Sequence, residues 1–268
     1  MTTPRPELFA VAAIVVTLAL IVLSRATARV VADDDGQQPE VERCDLDLGA
    51  DEPDAADETP ADRPPAGGPV PSQRRLPTGG ALLANVALTH GLLGVFVLAL
   101  AWYSALPWAA LGLGPASVSA TAVGLGVALG VGLYAASETA GAVAERAGIE
   151  YDERLRELLA PRGPGEWALM MLVVLPIVAG GEELLFRGAL IGALGFGLDL
   201  PLPALVVGSS VLFGAGHSAQ GAVGVGATMA MGLVLGTAFV LTGSLVVVIV
   251  AHYAVNALEF VVEEGLRG

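Results

Sequence analysis

Seven long apolar runs dominate the chain, at residues 8–24, 81–106, 115–137, 167–190, 201–219, 222–242 and 244–262. Each is close to the ~20 residues that a helix needs to cross the hydrocarbon core of a bilayer. Lipid offers no partner to a free backbone N–H or C=O, so a spanning segment must close its hydrogen bonds within itself, as a helix does. The expected fold class is therefore all-α: a polytopic transmembrane helix bundle of about seven spans. Glycines in the stretches Gly124-Leu125-Gly126 and Gly232-Leu233-Val234-Leu235-Gly236 suit helices that approach one another closely in lipid.

Composition sharpens this reading. Of 268 residues, 54% are hydrophobic and 15% charged, the mean hydropathy is +0.69, and the formal net charge is −14. A soluble domain carries about 25% charged residues, so an ordinary soluble enzyme is excluded. A nucleic-acid binder is excluded as well, because 13 basic against 27 acidic residues leave no basic footprint. The acid is concentrated in residues 32–77, which hold thirteen acidic and four basic residues, a net −9. That segment is rich in Pro, Gly and Ala and has no aromatic residue, so it cannot bury enough apolar surface to offset chain entropy and is expected to be a disordered acidic linker. The single cysteine, Cys44, lies inside it and excludes a disulfide framework. The expected organisation is an N-terminal transmembrane anchor at 1–31, the acidic linker at 32–77 and a membrane domain at 78–268. The first span could be a cleaved signal peptide, with Val30-Val31-Ala32 as the cleavage site. Its length and the following Arg25 and Arg29 favour an uncleaved anchor.

All 13 basic residues are arginine. Arg25, Arg29, Arg74 and Arg75 flank the first connection, Arg146, Arg154, Arg156 and Arg162 precede the fourth span, and Arg267 ends the chain. Placing these three groups in the cytoplasm fits seven spans with the N-terminus outside. Residues 151–159, ended by Pro161, read as an amphipathic surface helix.

Ionisable groups inside membrane spans are costly and mark function. In the last four spans they form three groups. Gly181-Glu182-Glu183-Leu184-Leu185-Phe186-Arg187 sets Glu183 and Arg187 at i, i+4 on one helix face, where they can neutralise each other. Glu182 lies about 100° away and needs a partner from another helix. Phe213 and His217 are spaced i, i+4, and so are His252 and Asn256. Of the three histidines, His90 has no such partner and is read as packing or as a helix hydrogen bond.

A carboxylate in an apolar, water-poor cavity can act as a base. With a histidine beside it, it can polarise water for attack on a carbonyl, while a second histidine and an asparagine amide donate to the developing oxyanion. Alternatively, Glu182, His217 and His252 could form a Zn²⁺ shell with an open position for water. Both schemes lead to amide hydrolysis. The order of residues matches no Ser–His–Asp triad and no phosphate-binding loop.

The order EExxxR (Glu182, Glu183, Arg187), FxxxH (Phe213, His217) and HxxxN (His252, Asn256) on successive C-terminal membrane helices resembles the CPBP family, which contains CAAX prenyl endopeptidases and Abi-type bacteriocin-processing or immunity proteins. The resemblance covers roughly residues 80–262 and leaves out the first span and linker. It implies that Glu182 is the general base, helped by His217. It further implies that His252 and Asn256 form the oxyanion-stabilising pair and that Glu183 and Arg187 form an orienting ion pair. The family is usually called metalloprotease, and the resemblance leaves the metal open. It implies a multi-pass cell-membrane endopeptidase acting on a membrane-anchored peptide or protein, whether or not that substrate is prenylated. The all-arginine, acidic composition with a pI near 4.5 resembles that of a salt-adapted prokaryote. Two other classes use the same residues differently: a non-catalytic immunity or scaffold protein that binds a peptide in the cavity, and a transporter in which the acid and histidines relay protons. The two halves of the chain have no repeat of the kind many transporters show.

Overall fold

A computed structural model describes residues 4–35, 79–148, 156 and 159–267. Among the described residues there are seven long helices: α1 (Pro6–Asp35), α2 (Gly79–Tyr103), α3 (Ala120–Arg146), α4 (Pro164–Leu198), α5 (Leu202–Gly216), α6 (Gly221–Thr242) and α7 (Leu245–Val262). Six are long and apolar enough to cross a membrane, and α5 is a shorter apolar helix. The chain is thus a multi-pass membrane protein, and each of the seven apolar runs coincides with one helix.

The fifth run gives the shortest of the seven helices. It was expected to reach residue 219, but α5 stops at Gly216 and a 3₁₀ turn covers Ser218–Gln220. Fifteen residues rise about 22 Å, short of the ~30 Å of the hydrocarbon core. His217 follows directly on this end. The acidic linker lies outside the described residues apart from its first few positions, where α1 continues to Asp35. The amphipathic stretch 151–159 also lies outside them except for Arg156 and Leu159. Arg156 Nε donates to Glu264 Oε1 at 3.1 Å, tying this connection to the C-terminal end of the bundle.

α4 is the central helix. Its backbone is not uniformly α-helical: over Met170–Val174 and again over Leu184–Ala193 it widens to π-helical turns. The first wide turn precedes Pro176, which lacks an N–H and would crowd the carbonyl four residues earlier in a regular helix. The second begins directly after Glu182 and Glu183, and such wide turns occur frequently at functional sites. Leu185, Ala189 and Ile191 of α4 are fully buried among Phe213 of α5, Leu235 of α6, and Val248 and Ala251 of α7. The outer faces are apolar as well. Leu88, Leu92 and Val95 of α2 and Leu241 of α6 are exposed, as side chains that face lipid must be. Trp102, Tyr103 and Trp108 are exposed together at one end of α2, forming the aromatic belt typical of a membrane–water interface.

Glycines set the closest helix approaches. A Cβ on Gly126 would stand 2.7 Å from the Val247 carbonyl oxygen, and one on Gly130 2.6 Å from that of Ala251, so α3 lies directly against the α7 backbone. Gly232 and Gly236 do the same for α6 against Ser210 and Val206 of α5, at 3.1 and 3.2 Å. Gly124, in the same motif as Gly126, has nothing within 4 Å and faces outward.

α1 is part of this bundle. Phe9, Ala10 and Ala13 are buried in the main core with residues of α4 and α5. Near the other end of the span, the Ser24 hydroxyl donates to the Gly216 carbonyl at 2.6 Å. The C-terminal end of the first span and that of α5 therefore lie on the same side, as alternation of seven spans requires.

Candidate active site

Four helices deliver side chains to one buried point. Glu182 and Glu183 come from α4, His90 from α2, His217 from the end of α5 and His252 from α7. Glu182, Glu183, Arg187 and His252 are all buried.

Glu183 and Arg187 form the expected i, i+4 pair, with Arg187 Nη1 donating to Glu183 Oε1 at 2.8 Å. The same oxygen accepts from His252 Nδ1 at 2.7 Å. Arg187 has two further partners. Its Nη2 donates to the Gly232 carbonyl at 3.4 Å, and its guanidinium lies 4.5 Å over the Phe213 ring. Phe213 is the apolar hub of the site, with edge-on ring contacts to Phe186 at 4.9 Å, His217 at 4.7 Å and His252 at 6.0 Å. Ser209 fixes this helix to α4 by donating to the Phe186 carbonyl at 2.7 Å.

Hydrogen-bond bookkeeping determines which ring nitrogens are free. A carbonyl oxygen or a carboxylate only accepts, so a ring nitrogen facing one must carry a hydrogen. Nδ1 of His90 faces the Val86 carbonyl at 2.8 Å, Nδ1 of His217 the Phe213 carbonyl at 2.8 Å, and Nδ1 of His252 the Glu183 carboxylate. All three rings are thus anchored through Nδ1–H and present Nε2 to Glu182. His90 Nε2 is 3.2 Å from Oε1, His217 Nε2 3.8 Å from Oε1 and His252 Nε2 3.8 Å from Oε2. The first is a direct hydrogen bond, and one proton bridges the pair whichever atom carries it. The other two exceed a direct bond and are within reach of one bridging water. Glu182 Oε2 has no hydrogen bond among the described residues.

Of the residues singled out from sequence, Glu182, His217 and His252 meet here, with Glu183, Arg187 and Phe213 supporting them. Asn256 lies one turn beyond His252 on α7, half-buried, with no side-chain hydrogen bond among the described residues. His90 does make the helix hydrogen bond expected of it, but it also contacts Glu182, a role its sequence neighbours did not signal. Nε2 of His217 and of His252 face different oxygens of Glu182, and among the described residues no three His, Cys, Asp or Glu side chains are arranged to hold a metal ion.

Residues 164–258, which hold every one of these groups except His90, match the family model described as type II CAAX prenyl endopeptidase Rce1-like. No curated protein and no solved structure matches the chain. The segment that carries the EExxxR, FxxxH and HxxxN residues is thus similar to the type II CAAX prenyl endopeptidase family.

Proposed function

We propose that the protein is a membrane-embedded endopeptidase that hydrolyses a peptide bond of a membrane-associated substrate with water activated by Glu182. The observation that carries this reading is the Glu182 carboxylate, buried at membrane depth with imidazole Nε2 atoms from three other helices facing its two oxygens. A buried carboxylate without a compensating arginine of its own is a costly arrangement, and a base for a reacting water is a use that repays it.

In the proposed reaction the water oxygen attacks the scissile carbonyl carbon while Glu182 takes one water proton. The lone pair of His217 Nε2 accepts the other water O–H and orients the nucleophile. The carbonyl oxygen becomes an oxyanion, stabilised by the Asn256 amide and by His252, which can donate through Nε2–H when its ring carries both protons. Glu183 holds the other ring nitrogen of His252 in either state. Breakage of the C–N bond then releases an amine, which receives the proton held by Glu182. All of these steps use side chains of the chain itself. The reacting side chains all lie within residues 78–268, and α1 packs into the same core. A substrate with a lipid-anchored C-terminal segment, prenylated or not, fits a site at this depth.

The test is cleavage of a library of membrane-anchored peptides by purified, reconstituted protein. Glu182→Ala, His217→Ala and His252→Ala should each lower the rate by about 100-fold or more, with normal insertion. Variants that cleave as fast as the parent would overturn the assignment. Peptide binding without turnover in the parent would favour a scaffold, and proton flux into proteoliposomes a transporter.

A further inference from the structure

His90 belongs to none of the three motifs and lies outside residues 164–258, yet it makes the shortest contact to Glu182 of any histidine, 3.2 Å against 3.8 Å for the other two. Two features show that this contact is built into the helix packing. First, the ring is locked at both ends, with Nδ1–H on the Val86 carbonyl one turn earlier and Nε2 on Glu182 Oε1. Second, the backbones of α2 and α4 pass close to each other at this position. A Cβ on Gly181, the residue before Glu182, would stand 2.7 Å from the carbonyl oxygen of His90 itself. The absence of a side chain at 181 lets the imidazole reach the acid.

The contact makes the two oxygens of Glu182 unequal. Oε1 is held by His90 and approached by His217, whereas Oε2 has no hydrogen bond among the described residues and faces His252. We propose that His90 is a positioning residue that fixes Glu182 through Oε1 and so holds the carboxylate in one orientation toward the reacting water. This rests on Glu182 being the base. A carboxylate on three rotatable bonds otherwise samples orientations in which neither oxygen faces the water, and misplacement by an ångström costs about 100-fold in rate. The alternative is a His90 that only fills space between α2 and α4, in which case the chemistry of its Nε2 is immaterial.

Two measurements separate these accounts. The chain has three histidines, so ¹⁵N-histidine-labelled protein in nanodiscs gives a spectrum that single His→Gln variants assign completely. Glu182→Gln should move the Nε2 resonance of His90 and leave its Nδ1 nearly in place. An unmoved His90 Nε2 overturns the contact, independent of activity. In the peptide-cleavage assay, His90→Ala and His90→Asn should lower kcat about 10- to 100-fold with KM nearly unchanged. His90→Gln, whose amide N–H reaches the Nε2 position, should retain most of kcat. Full kcat in His90→Ala, or equal loss in the Gln and Ala variants, overturns the positioning role. If the parent cleaves no peptide, the base assignment to Glu182 fails, and the resonance shift still decides whether His90 holds that carboxylate. If His90→Ala does not insert, the His90→Asn and His90→Gln pair, which keep a polar side chain there, decides the rate question.

Discussion

Glu183 Oε1 accepts two hydrogen bonds at once, from His252 Nδ1 at 2.7 Å and from Arg187 Nη1 at 2.8 Å. One buried oxygen therefore sets the orientation of a histidine on α7 and neutralises an arginine on its own helix. Glu183→Gln keeps the shape and removes the charge. The arginine then stays buried without its counter-ion, which costs about 3–5 kcal/mol, and His252 Nδ1–H keeps only a neutral amide oxygen in place of a carboxylate. The expected outcome is a lower melting temperature in detergent together with a cleavage rate reduced about 100-fold. A variant as stable as the parent would show that the pair is not buried as described.

The same relationship predicts non-additivity. Arg187→Met alone leaves Glu183 buried and charged with only His252 beside it. Combining it with Glu183→Gln removes both charges, and replacing a buried ion pair by neutral groups of similar volume is often neutral or stabilising. The double variant should therefore be more stable than either single one, with a coupling of about 1–3 kcal/mol, yet it should stay slow because His252 Nδ1–H then rests on a neutral amide oxygen instead of a carboxylate. A thermal-unfolding cycle on the four proteins measures the coupling directly. Simple addition of the two losses would contradict a direct ion pair.

Much of this was visible in the sequence, and the part that was not has a physical cause. Seven spans were legible because lipid forces apolar runs of a fixed length, and Glu182, Glu183, Arg187, His217 and His252 stood out because ionisable groups are rare at that depth. Glu183 and Arg187 could be paired from spacing alone, since i, i+4 residues on one helix meet. Spacing could not pair His90 with Glu182, 92 positions away on another helix, because helix periodicity reports only on contacts within one helix. Ser24 was hidden for the same reason: a serine in an apolar span usually bonds back to its own helix, as Thr17 does to Ala13. The shortness of α5 was masked because only His217, Ser218, Ala219 and Gln220 separate its apolar run from that of α6.

Gly180 and Gly181 are adjacent on α4 and should respond oppositely to alanine. A Cβ at 181 would stand 2.7 Å from the His90 carbonyl oxygen, a backbone atom that can yield only if α2 moves, whereas at 180 nothing lies within 4 Å. Gly181→Ala should cost about 1–3 kcal/mol as an overpacked contact and should lower cleavage by drawing His90 away from Glu182. Gly180→Ala should leave stability and rate within twofold of the parent. Melting temperature and kcat on the two variants test this, and equal behaviour would mean that α2 and α4 are not in the close register described.

Ser24 links the N-terminal span to the site. Its hydroxyl donates to the Gly216 carbonyl at 2.6 Å and lies 3.4 Å from the Ser218 hydroxyl, so it touches both residues that flank His217. The Gly216 carbonyl belongs to the last turn of α5, where no further turn supplies an N–H, and an unpartnered carbonyl at membrane depth costs about as much as a lost hydrogen bond. Ser24→Ala should therefore destabilise the protein by about 1 kcal/mol. Its larger effect should fall on kcat, because the turn that carries His217 loses its tether while the Nδ1 bond to Phe213 remains. A fall of about 3- to 10-fold in kcat is expected, equivalent to about 1 kcal/mol in the barrier, with KM little changed. Ser24→Thr keeps the hydroxyl and should restore the rate, whereas an unaltered rate in Ser24→Ala would mean that the first span supports the bundle without influencing His217.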